Sequence, residues 1–131
     1  MDTDQLLALM PFAVATGVQL DTASPDEVAG RLPWAPERCT AGGVMHGGAL
    51  MTLADAVGAV CAFLNLPAGA STSTVSSTTS LVRGLRSGTA RAIARPAHVG
   101  RSFVLVNVEV TDDEGRLVPQ TTQTQAVLSG S

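Results

Sequence analysis

GGVMHGGALMTLADAVGAV, residues 42–60, is the stretch on which the reading of this chain turns. From His46-Gly47-Gly48 onward it is rich in Ala, Leu and Met, which favour helix. The run continues to about Leu64, where Pro67 and Gly69 stop it. This predicted helix is apolar on nearly all sides, so other elements have to wrap it.

The flanking sequence supplies the wrapping. After Gly69 the apolar pattern changes to period two, and strands are expected at about 71–84, 88–98, 101–112 and 116–128. Gly84 and Gly88 bracket the first turn, His98-Val99-Gly100 marks the second, and Asp113-Glu114-Gly115 forms a hairpin turn. In FVLVNVEV, residues 103–110, Val104, Val106, Val108 and Val110 share one face. The stretch STSTVSSTTS, residues 71–80, reads as a strand rather than a linker, because Thr and Val favour strands and apolar strands flank it. Pro119 suits an edge or a bulge in the last strand, not a central position. Upstream, residues 4–15 predict a short helix broken near Pro11, and residues 18–22 and 27–33 predict two strands about the turn Ser24-Pro25-Asp26. Residues 34–45 form a loop. The expected fold is α+β: a long central helix wrapped by a curved antiparallel sheet of about six strands, with a short N-terminal helix, as one domain over 1–131.

Composition narrows the function. A chain of 131 residues buries enough surface to fold without disulfides or metal. The net charge of -3 leaves no basic footprint, so nucleic acid is not an expected partner. All eight basic residues are Arg, the better fork for phosphate. Cys39 and Cys61 make no secreted disulfide framework, and Cys61, in the apolar helix, reads as an inert core residue. No His/Cys cluster has metal spacing, so neither a metal nor a resident cofactor is expected. Met1-Asp2-Thr3-Asp4 lacks the basic start of a signal peptide. The apolar run around residues 49–66 contains Thr52 and Asp55 and is too short and too polar to be read as a membrane span. A cytoplasmic location is expected.

Three features of the central stretch belong together. Asp55 is the sole acidic residue between Glu37 and Glu109 and stands among Leu53, Ala54, Ala56 and Val57. A carboxylate kept in apolar surroundings is a candidate nucleophile or general base. His46-Gly47-Gly48 sits where backbone N–H groups point out of the helix N-terminus, and glycine lets a substrate oxygen approach them, the geometry of an oxyanion hole. Gly47 and Asp55 are separated by eight positions, about 12 Å along one helix. Both groups must reach one carbonyl within about 3 Å. Two helices antiparallel across a two-fold axis bring Gly47 of one to Asp55 of the other, so a symmetric dimer with two composite sites is expected.

At these residues, HGGALMTLAD with His46-Gly47-Gly48 and then Asp55, the chain resembles the hot-dog thioesterase superfamily. It is most similar to the PaaI-like acyl-CoA thioesterases of phenylacetic acid degradation, alongside the 4-hydroxybenzoyl-CoA thioesterases. The likeness continues through RGLRSG (Arg83 to Gly88) and HVGRS (His98 to Ser102). The resemblance implies that the Gly47 N–H polarises a thioester carbonyl, that Asp55 of the partner chain attacks it or activates water, and that His46 shapes the oxyanion loop. It also implies a positioning role for a strand hydroxyl, which Thr74 matches. Where relatives carry Asn or Gln before the glycines, this chain has Thr40, a shorter donor.

For the coenzyme, the resemblance implies surface binding of the nucleotide, with Gly48, Arg83, Arg86, Gly100, Arg101 and Ser102 as candidate contacts. Coenzyme A enters as part of the substrate. Partners are then the acyl-CoA and other copies of this chain, a dimer being required and a tetramer expected. Two other readings stay open: a non-catalytic acyl-CoA binding module, and an acyl-carrier-protein thioesterase. A hydratase ranks below them, because only His46 and His98 are available for proton transfer at carbon.

Overall fold

The computed structural model describes residues 1–129. Its elements run α1 (Thr3–Ala8), α2 (Pro11–Thr16), β1 (Gln19–Ala23), β2 (Val28–Pro33), α3 (Gly47–Leu64), β3 (Ser71–Leu81), β4 (Thr89–Val99), β5 (Phe103–Thr111) and β6 (Leu117–Leu128). The strands form one antiparallel sheet in the order β1-β2-β4-β5-β6-β3, which curls around α3.

The expected N-terminal helix is two short ones. Asp2 caps α1 by accepting the Gln5 N–H, and Gln5 returns the bond to the Asp2 N–H. Pro11 then opens α2, where its missing N–H costs nothing.

Helix α3 buries Leu50, Leu53, Ala54, Val57, Val60 and Cys61 against the sheet. By length and composition it could cross a membrane, yet here its apolar faces meet β2, β4, β5 and β6. Val104, Val106, Val108 and Val110 all point inward with no exposure, as their alternation predicts. Small residues opposite them, Ala90, Ala92 and Ala94 on β4, keep the helix close to the sheet. Burial pushes the Cys61 thiol up to about 11, so it stays protonated and inert.

Two expectations about strand placement need refinement. The Ser/Thr-rich segment is strand β3 and forms the sheet edge, pairing with β6 alone and ending at Leu81 rather than at residue 84. Strand β6, for whose Pro119 an edge or a bulge was expected, is an interior strand between β5 and β3. It tolerates proline because its register with β5 slips between the Glu109–Gln120 and Thr111–Leu117 pairs, so Pro119 sits in a bulge.

Candidate active site

The segment before α3 builds the helix start. Residues 38–40 and 44–46 lie antiparallel: the His46 N–H donates to the Arg38 carbonyl, Cys39 bridges Met45, and the Thr40 N–H donates to the Val44 carbonyl. Gly42 and Gly43 turn the chain between them with φ of 81° and 73°, the left-handed region that favours glycine. Arg38, which sequence reasoning passed over, anchors this ladder through bonds to the Thr16 and Pro33 carbonyls. Thr40 is thereby carried to Gly47, and the two share a cleft with Leu81, Val82, Arg83 and Gly84.

His46 is the N-cap of α3. Its Nδ1 accepts the Gly48 N–H at 2.9 Å, which places the ring proton on Nε2. The Ala49 and Leu50 N–H groups return to the His46 carbonyl. Among the described residues, the Gly47 N–H has no such partner and lies at the positive end of the helix. The imidazole therefore occupies one donor and not its neighbour.

Two turns further on, Asp55 lies on the exposed side of α3. Within one chain it is not the buried carboxylate that its apolar neighbours suggested, because they point inward while Asp55 shares the outer strip with Met51. Its Oδ1 accepts from Gln123 Nε2 at 2.7 Å and from Thr74 Oγ1 at 3.4 Å. Thr74 thus reaches Asp55 from the edge strand. Gln123 and Gln125 are 0% and 1% exposed, and sequence reading missed them as part of a merely polar stretch. The signal was available: every second residue of β6 turns inward, so Thr121, Gln123 and Gln125 had to be core residues.

The expected phosphate contacts fall into two groups. Arg83 and Arg86 lie in the β3–β4 connection, on the Gly47 side, and the Arg86 guanidinium bonds the Gly42 carbonyl. Gly100, Arg101 and Ser102 form the β4–β5 turn, where the Ser102 carbonyl accepts from Val127. Strand β4 has 11 residues, so the two groups stand roughly 30 Å apart in one chain. Among the described residues Arg83 and Arg101 form no salt bridge, whereas Arg31, Arg91, Arg95 and Arg116 do. Gly48 is exposed beside His46 in a second cleft with Phe12, Arg38 and Thr52. No His/Cys/Asp/Glu group suited to a metal occurs among the described residues.

The family model of the Thioesterase superfamily matches residues 42–119. The Mycobacterium tuberculosis protein Rv1847, which carries an esterase name, is 32% identical over 83% of this chain and 80% of its own. Its solved structure superposes with a TM-score of 0.89, covering 93% of this chain and 99% of that one. The 1,4-dihydroxy-2-naphthoyl-CoA hydrolase of Escherichia coli is 30% identical over 66% of this chain and 63% of its own. A phenylacetic acid degradation-related protein of Ralstonia eutropha, 27% identical, superposes with a TM-score of 0.82 over 90% of each chain.

Proposed function

Because the chain belongs to the thioesterase superfamily, with its hot-dog fold, we propose that it hydrolyses acyl-CoA thioesters to the free acid and coenzyme A at a site shared by two copies. One observation carries this reading: the free Gly47 N–H and the hydrogen-bonded Asp55 carboxylate lie along one helix, two turns apart. Neither can serve the other's substrate within one chain. A second copy related by a two-fold axis brings them together.

Exposed apolar side chains flank both groups and suit such a pairing. Met51 and Phe63 lie on α3, Val75 on the edge strand, and Leu81 and Val82 at its end. In the proposed site the Gly47 N–H donates to the thioester carbonyl oxygen and stabilises the charge that grows there. Asp55 of the second copy attacks the carbonyl carbon or takes a proton from the attacking water. The sulfur leaves with the bonding electrons and is protonated, and one water is consumed overall. Thr40, which lines the same cleft as Gly47, is assigned to the reacting group's surroundings.

The acyl group is assigned to a cleft of about 230 Å³ between α1 and α3, lined by Leu6, Leu9, Met10, Ala59, Val60 and Phe63. Ala59 is one helical turn beyond Asp55. Arg83 and Arg86, at the Gly47 end, are assigned to the coenzyme phosphates. The Gly100–Ser102 turn sits at the Thr72 end of β3, since Val127 bonds Ser102 and pairs with Thr72. In an antiparallel pair that end lies beside the other copy's Leu81, so this turn reaches the same coenzyme from the second copy.

Free-thiol release from a panel of acyl-CoAs, wild type against Asp55→Asn, tests the reading. The expected result is turnover that falls at least about a hundredfold in the variant. Release from acyl-carrier-protein esters alone would move the substrate class. Release from neither, by folded oligomeric protein, would leave a binding module.

A further inference from the structure

We propose that Gln123 is a positioning residue for Asp55, seated in a notch that Gly58 leaves in α3, and that it presents one carboxylate oxygen to the substrate. This rests on the reading of Asp55 as the reacting carboxylate.

The notch is specific. A methyl group at Gly58 would stand 2.4 Å from Gln123 Oε1 and 3.2 Å from its Cδ. Gly58 follows Asp55 by three positions, so both lie on one side of the helix. The amide crosses the helix surface where Gly58 has no side chain and ends at Asp55.

The amide's direction is fixed by what surrounds it. Gln125 Nε2 donates to Gln123 Oε1 at 3.0 Å and to Thr74 Oγ1 at 2.8 Å, which uses both of its hydrogens. Thr72 Oγ1 stands 3.2 Å from Gln125 Oε1 and 2.8 Å from the Ala126 carbonyl, which takes its single proton. With its oxygen so occupied, Gln123 turns its nitrogen to Asp55 Oδ1 at 2.7 Å. Thr74, its oxygen likewise holding Gln125, gives its proton to the same Oδ1. Donors thus run from Gln125 through Gln123 toward a single atom. Among the described residues of the chain none bonds Oδ2. The network holds one oxygen and leaves the other as the atom that attacks or accepts the proton. This also gives two hydroxyls of the edge strand a task, since Thr74 and Ser77 both accept from buried glutamines.

Steady-state kinetics on an acyl-CoA that the wild type turns over test this, with Gln123→Leu, Gly58→Ala, their double variant, and Gln123→Leu in an Asp55→Asn background. Gln123→Leu should lower kcat about ten- to hundredfold, the worth of a bond to a charged group, and change KM less than twofold. Gly58→Ala should lower kcat in the same way, and the double variant should lose no more than the worse single one. In the Asp55→Asn background, Gln123→Leu should change the residual rate less than twofold. Thr74→Val, on the exposed edge strand, should lower kcat by a smaller factor, and it stands in if a core variant does not fold. Wild-type kcat in folded Gln123→Leu or in Thr74→Val would overturn the proposal, as would losses that multiply in the double variant. If Asp55→Asn alone kept the wild-type rate, the underlying reading would have failed instead.

Discussion

The proposed role of His46 is to shape the helix start rather than to touch substrate. Its Nδ1 takes the Gly48 N–H and not that of Gly47. Replacing it by Ala removes an N-cap, so His46→Ala should lose about 1 kcal/mol of stability, read by denaturant melts. The same change should lower kcat, because the freed Gly48 N–H and a fraying first turn no longer hold Gly47 in place. The motif was legible in the sequence, since glycines after His46 at the start of an apolar helix have few other uses. The partners of Asp55 were not. Gln123 lies 68 positions away, and the sheet order that brings β6 to the helix is a long-range property that no local pattern encodes. Nor does local pattern reveal that Asp55 sits on the single exposed strip of a helix whose other faces are buried.

Among the elements, β4, β5 and α3 were read to within a residue or two because β5 alternates throughout, β4 alternates from Ala90 to Ala94, and α3 is apolar nearly all round. For strand β6 the sequence left an edge or a bulge open at Pro119, and the bulge, which removes the bond that proline lacks, is what lets the strand lie inside the sheet. The β5–β6 turn offers a test by pH. Asp112 accepts the Arg116 and Glu114 N–H groups and the Arg116 guanidinium. The Arg116 N–H above all holds its carboxyl below the ordinary carboxylate value, against the opposing effect of burial. A lowered folded value means the stabilisation is fully present above the unfolded value of about 3.9 and is lost as pH falls through the folded one. Thermal melts should therefore show Asp112→Asn less stable than wild type at neutral pH, with the gap closing in acid. On α3, Ala59→Leu should fill the acyl cleft and move the preferred substrate to shorter chains. Each methylene excluded is worth about 0.8 kcal/mol, or roughly fourfold in kcat/KM.

At the scale of the whole molecule, the account depends on a second copy. Met51, 44% exposed, lies one turn before Asp55 on α3. Placing a charge there, as in Met51→Glu, should dissociate the assembly in sedimentation and abolish activity together, since neither half-site works alone. The central claim is that one chain supplies Gly47 and another Asp55. It is tested most directly by mixing two inactive proteins, Asp55→Asn and Gly47→Val, under conditions that exchange subunits. A hybrid pair holds one site built from an intact Gly47 and an intact Asp55. With free exchange, half of the pairs are hybrid and each has one of two sites, so thiol release should return to about a quarter of the wild-type rate. No recovery from hybrids shown to form would contradict the composite site and place both groups in one chain.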